Sequence, residues 1–292
     1  MLIDTHAHLY WDSFKDDLDE VIQRAIVSGV TTIINVGVDV QLSKKATELE
    51  SDKIKFYSTI GIHPHEAIRY LDSVSIHHDI VKLEQLYRSN PSKIVAVGEC
   101  GLDYKETDEK TKDLQKRLFQ IQIDLAKKLN LPMIVHCREA WEDTLDIIGK
   151  YPAILHCYSG LSPTTKRVLQ TTNLIVSFAA TLTYPKNEYL RDAAKLLPLE
   201  KIVLETDCPF LPPQSKRGQR NEPANILETA QLIADLKGLS LEEVATQTTK
   251  NASEILRTRE SAGLSPAQDD LIGNLLSRPE KRKLKGKSCV FY

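Results

Sequence analysis

The chain has 292 residues, enough for one large α/β domain, since a barrel of that class needs about 250. A formal net charge of −2 excludes a surface that grips polyanions everywhere, so contact with nucleic acid must rest on a local basic patch or bound cations. No run reaches the roughly 18 apolar residues of a membrane span, and the opening Met1-Leu2-Ile3-Asp4-Thr5 has neither a basic segment nor an apolar signal core; a cytoplasmic protein without membrane attachment is expected.

Short β-branched runs alternate with helical stretches along the chain. The expected strands are Leu2–Thr5, Thr32–Val36, Lys55–Ile60, Ile94–Gly98, Met133–His136, Ala153–His156, Leu174–Phe178 and Ile202–Glu205. Between them lie amphipathic segments, among them Phe14–Ser28 behind an Asp12-Ser13 cap and Leu114–Leu129 with Leu118, Ile121, Leu125 and Leu129 on one stripe. Near-continuous apolar strands separated by helices predict a parallel sheet with helices outside it. Eight units favour closure into a (β/α)8 TIM barrel. An open sheet would usually carry a glycine-rich phosphate turn after its first strand, and His6-Ala7-His8 stands there instead. Helical pattern resumes at Ala224–Lys237 and Leu241–Leu256. From about Glu260 the composition shifts to two prolines, an amphipathic piece at Asp269–Leu276 and the basic run Lys281–Lys287. The expected division is a (β/α)8 barrel over 1–259 and a short, basic, partly disordered C-terminal extension over 260–292.

Six candidate metal ligands fall at or just past strand ends. His6 and His8, two apart, share one face at the end of the first strand. Glu99, His136, His156 and Asp207 follow at the ends of the fourth, fifth, sixth and eighth strands. A barrel brings these ends onto one mouth, where barrel enzymes build their sites. The mixed imidazole and carboxylate set suits Mg, Mn or Zn, and six ligands with a carboxylate able to bridge predict two divalent ions. His63 and Arg138 are candidates for holding a substrate phosphate, and His65 for lining the rim. His77 and His78 read as surface residues. Lys216 and Arg217 lie in the loop after Asp207, where phosphate sites are common, while Arg220 is expected to play a structural role with Glu222. Cys100, Cys137, Cys157 and Cys208 each adjoin a candidate ligand, so they should face away from it as reduced barrel-wall residues.

These stretches resemble the TatD family of metal-dependent deoxyribonucleases. The matching segments run in family order from Asp4-Thr5-His6-Ala7-His8 through Gly61-Ile62-His63-Pro64-His65, Gly98-Glu99-Cys100-Gly101-Leu102-Asp103-Tyr104 and Val135-His136-Cys137-Arg138. Leu155-His156-Cys157-Tyr158-Ser159-Gly160, Glu205-Thr206-Asp207-Cys208-Pro209-Phe210 and Arg220-Asn221-Glu222-Pro223 complete the set, which covers about residues 1–258. The resemblance implies hydrolysis of DNA phosphodiesters, with Glu99 bridging two metals and Asp207 binding a metal and assisting proton transfer. Tyr10 stands where the family often has Asp or Asn. Because the metals and a few basic groups at the mouth would meet only one or two phosphates of DNA, trimming of strand ends or single strands is expected rather than clamping of long duplex, and no feature assigns an oligomeric state. Two other readings compete. An amidohydrolase cleaving a small ester, amide or phosphoester would use the same barrel, though many such sites bridge their ions with a carbamylated lysine where this chain has Glu99. A non-catalytic nucleic-acid-binding protein would leave the ligand set unexplained.

Overall fold

A computed structural model gives the structure of residues 1–258 apart from 72 and 106. Its strands are β1 (Leu2–Ala7), β2 (Val30–Asn35), β3 (Lys55–Ile60), β4 (Ile94–Asp103), β5 (Met133–Arg138), β6 (Ala153–Leu155), β7 (Leu174–Phe178) and β8 (Ile202–Leu204). Each pairs in parallel with the next in chain order. The ring closes just beyond β8. There Asp207 N donates to His6 O at 2.8 Å and His8 N donates to Cys208 O at 2.9 Å. The expected (β/α)8 barrel is the observed fold, and its closing hydrogen bonds come from the residues that frame the candidate site.

Nine α-helices among the described residues cover the barrel: α1 (Leu18–Val27), α2 (Val40–Glu48), α3 (Ser73–Ser89), α4 (Glu109–Leu129), α5 (Trp141–Ile148), α6 (Ser162–Leu169), α7 (Glu188–Leu196), α8 (Ile226–Lys237) and α9 (Leu241–Leu256). α4 buries Leu118, Phe119, Ile123 and Leu125 on one stripe, and the Asp108 carboxylate caps it by accepting from Thr111 N. It ends where Asn130 turns left-handed at φ 54°. α9 opens with a reciprocal capping box between Ser240 and Glu243. None of the helices of the described residues is long and apolar enough to cross a membrane.

Some element bounds differ from the sequence expectation for physical reasons. Phe14 does not join α1. It sits in a separate 3-10 turn, Asp12–Phe14, with its ring fully buried beneath the Arg220 guanidinium, 4.4 Å away. β4 runs on to Asp103, whereas β6 and β8 stop at Leu155 and Leu204. Beyond those two short strands Cys157 and Asp207 adopt positive φ, 42° and 56°, which extended pairing does not allow. The segments expected at 269–276 and 281–287 lie outside the described residues.

Two apolar layers hold the barrel. The outer one packs strands against helices. The inner one joins Ile3, Ile34, Tyr57, Val95, Ile134, Ile154 and Val203 to Ala252 and Leu256 of α9. Because Asn251 Nδ2 donates to Ile202 O at 2.7 Å and Thr249 Oγ1 to Met1 O at 2.9 Å, α9 seals the end of the barrel where the strands begin. The opposite end is left for polar side chains.

Candidate metal centre

The pairing of β1 with β2 is irregular between Asp4 and Ala7, and past that break Ala7 enters the outer core while His6 and His8 lie in the mouth. The His8 ring is turned by its Nδ1, which lies 2.9 Å from Val36 O, so Nε2 points at Asp207 Oδ1, 3.5 Å away. Tyr10 shares this anchor: its hydroxyl donates to Val36 O at 2.7 Å and lies 3.0 Å from His8 Nδ1. His6 is fully buried, and neither of its ring nitrogens has a hydrogen-bond partner. Its Nε2 faces Glu99 Oε2 at 3.4 Å and Asp207 Oδ1 at 3.7 Å.

Glu99 lies at the centre, and its two oxygens look in different directions. Oε2 faces His6, while Oε1 meets His156 Nε2 at 2.8 Å, His136 Nδ1 at 3.0 Å and His63 Nε2 at 3.4 Å. Burial alone would raise this carboxyl. The positive field of His156, His63 and His6 and the hydrogen bond from His136 instead hold it well below the usual carboxylate range. Burial would lower His156, yet Glu99 and Glu205 push its pKa well up. His63 is drawn down to about 4 by burial, against the opposing pull of Glu99.

The six expected ligands therefore converge on one mouth, and His63 joins them. Carboxylates behind the imidazoles complete the arrangement. Asp103 Oδ2 lies 3.1 Å from His136 Nε2 and 2.9 Å from His65 Nε2, which leaves His136 Nδ1 turned toward Glu99. Glu205 Oε1 lies 3.4 Å from His156 Nδ1 and accepts from Cys157 N at 2.7 Å, leaving His156 Nε2 turned toward Glu99. Asp4, fully buried, accepts from Thr206 N at 2.9 Å and Thr206 Oγ1 at 2.6 Å, tying β1 to the chain beyond β8; burial raises its pKa to about 7. A carboxylate on the far nitrogen of an imidazole fixes the tautomer and presents the near nitrogen as an acceptor, as in sites where histidine binds metal. Nothing in the sequence assigns these three residues a role; the one signal it offers is their even spacing from candidate ligands, with Asp4 two before His6, Glu205 two before Asp207 and Asp103 four after Glu99.

Among the described residues, three groups of side chains have ligand atoms close enough to share an ion: His6, His8 and Glu99; His63, Glu99 and His136; and His6, His156 and Glu205. A buried imidazole with two unbonded nitrogens beside carboxylates is costly unless something completes its bonding, and a divalent cation fits that donor set. The thiols stand apart. Cys100, Cys137, Cys157 and Cys208 are free and absent from these groups, and Cys100, Cys137 and Cys208 belong to the outer core, as expected. Cys157, half-buried at the end of β6, is held instead by the turn it occupies.

Among the basic residues, Arg138 ends β5 with an exposed side chain. Lys216 donates to Asn225 Oδ1, and Arg217 lies over the Tyr184 ring at 4.6 Å. Arg220 is structural, as expected, but its partner is not Glu222. Its guanidinium grips Asp17 through two bonds of 2.8 and 2.6 Å, while Glu222 is taken by Arg24, because Phe14 beneath Arg220 steers the fork toward the start of α1. His77 and His78 are exposed on α3.

The family model "TatD related DNase" matches residues 3–257. The "Uncharacterized metal-dependent hydrolase YabD" of Bacillus subtilis is 38% identical over 262 residues, covering 88% of this chain and 99% of that protein. The "3'-5' ssDNA/RNA exonuclease TatD" of Erwinia tasmaniensis is 31% identical over 264 residues, covering 87% and 99%. Among solved structures, the TatD homolog YJJV from Escherichia coli superposes with a TM-score of 0.78 at 27% identity, over 87% of this chain and 97% of that one. The chain belongs to the TatD family and is a metal-dependent hydrolase.

Proposed function

We propose that this hydrolase is a deoxyribonuclease that removes nucleotides from the ends of single strands using two divalent cations, Mg, Mn or Zn. The observation that carries the reading is the two-sided carboxylate of Glu99, with His6 on one oxygen and His63, His136 and His156 on the other. In this reading His6, His8, Glu99 and Asp207 hold one cation, and Glu99, His136 and His156 hold the other. When bound, the cations supply Lewis acidity that neutralises the phosphate and lowers the pKa of the attacking water.

The chain's own groups do the rest. Asp207, half-buried at the mouth, accepts the proton of that water through its carboxylate. His63, at the edge of the cluster, and Arg138, exposed at the rim, hold the non-bridging phosphate oxygens. Asp103 and Glu205 keep His136 and His156 in the tautomers that present a lone pair inward. The relative from Erwinia named as a single-strand exonuclease supports the substrate class. Catalysis belongs to the barrel, residues 1–259, and the extension at 260–292 is dispensable for it. Free thiols suit action in a reducing compartment, the cytosol.

End-labelled single- and double-stranded oligodeoxynucleotides incubated with Mg²⁺, Mn²⁺ or EDTA test this directly. Stepwise shortening of the single strand that EDTA abolishes is the expected result. Hydrolysis of small esters or amides with intact DNA in every lane would overturn it.

A further inference from the structure

Phe210 is large, apolar and 43% exposed, three residues past Asp207. Among the described exposed hydrophobic residues, it alone has an aromatic ring packed against a histidine of the site, at 6.3 Å between ring centroids from His8. Trp11, half-buried three residues after His8, meets the Phe210 ring edge to face at 5.1 Å and the His8 ring at 5.9 Å. The two aromatics thus form a wall of the mouth beside β1 and β8. His63, His65, His136 and Arg138 stand at the ends of β3 and β5.

The turn that carries Phe210 is firmly held. Phe210 N donates to Asp207 O at 2.9 Å, Asn221 N to Pro209 O at 3.0 Å and Tyr184 Oη to Pro212 O at 2.8 Å. Gln214 N donates to Thr183 Oγ1 at 2.8 Å. The open side of this apolar ring gains nothing from the fold, and a ring held in place beside a polar site is pre-organised for a flat ligand.

Resting on the nuclease reading, we propose that Phe210, backed by Trp11, is a stacking platform for the base of the terminal nucleotide while its phosphate lies at the metal centre. Every base offers a π face, so the platform selects nucleic-acid strands with an unstacked end over small phosphoesters, and it does so without reading sequence. A duplex end, whose bases are stacked and paired, must fray before it can be seated.

Cleavage by the full-length protein with Mn²⁺ of two single-stranded hexanucleotides, differing only in whether the terminal residue carries its base, separates the possibilities. Phe210→Ala lowers kcat/KM on the complete strand by roughly 10-fold, within the range stacking contributes per base, and leaves the strand with the abasic end unchanged. Phe210→Tyr restores the difference between the two strands. With Ca²⁺ in place of Mn²⁺, a terminal 2-aminopurine is quenched by the unsubstituted protein and far less by Phe210→Ala. Equal loss on both strands, or no loss on either, at an unchanged melting temperature overturns the platform while leaving the nuclease reading intact. Failure of the unsubstituted protein to cleave either strand overturns both.

Discussion

The two ends of this barrel solve opposite problems. At the end where the strands begin, Ile3, Ile34, Ile134, Ile154 and Val203 meet Leu256 and Ala252 of α9, and every one of these side chains is apolar. At the mouth, Asp4, His6, His8, Glu99, Asp103, His156 and Glu205 are just as buried, yet His6, His156 and Glu205 keep polar atoms without hydrogen-bond partners. The floor gains stability by removing apolar surface from water. The mouth carries desolvation costs that its imidazole–carboxylate pairs offset in part and that a bound cation would offset further. Stability and chemistry are thus separated along one axis, and substitutions at the two ends should report on different quantities.

The sharpest break in that comparison is Glu99→Gln, which removes a charge at nearly constant shape. Turnover should fall at least ~100-fold, on the scale of losing a group that stabilises charge in the transition state. The metal-free protein should still melt cooperatively. Near-normal turnover at saturating metal would remove Glu99 from the bridging role.

Asp103→Asn acts one step further out. It keeps the shape but no longer fixes the far nitrogen of His136, so metal affinity should weaken by roughly 10- to 100-fold. A metal titration followed by activity and by metal content measures this. If the affinity is unmoved, Asp103 serves the loop around Lys105, whose N–H it also accepts, rather than the site.

On the floor, Ile34→Val should cost about 0.5–1.5 kcal/mol in urea unfolding while kcat/KM stays at the unsubstituted value. A change in kcat/KM without a change in stability would show that the two ends are coupled through the strands. The smallest effect is expected from shortening the chain to residues 1–259. Cleavage of a short oligonucleotide should be unchanged. If the basic run Lys281–Lys287 touches DNA, a salt series on longer strands should show the slope falling by roughly one for each phosphate no longer bound. A shortened chain that keeps its metal yet does not cleave would place the extension in the active site.

The periodicity of the chain was enough to set the number of strands, their order and their parallel sense. Burial on both faces leaves few choices for a βα repeat. It also placed His6, His8, Glu99, His136, His156 and Asp207 on one face, because a barrel collects strand ends whatever its loops do. Tertiary structure decided the rest. Which carboxylate stands behind which imidazole depends on how far β4 outruns β6 and β8, and on left-handed turns at Cys157 and Asp207 that no periodicity reveals. Arg220 chose Asp17 over its near neighbour Glu222 because Phe14, 206 residues earlier, occupies the space beneath it. Phe210 reads as one more apolar residue until the closing of β8 on β1 brings its ring against His8. Strand pattern is local and survives in the sequence, whereas the direction of a side chain at a barrel mouth is set by neighbours that only ring closure brings together.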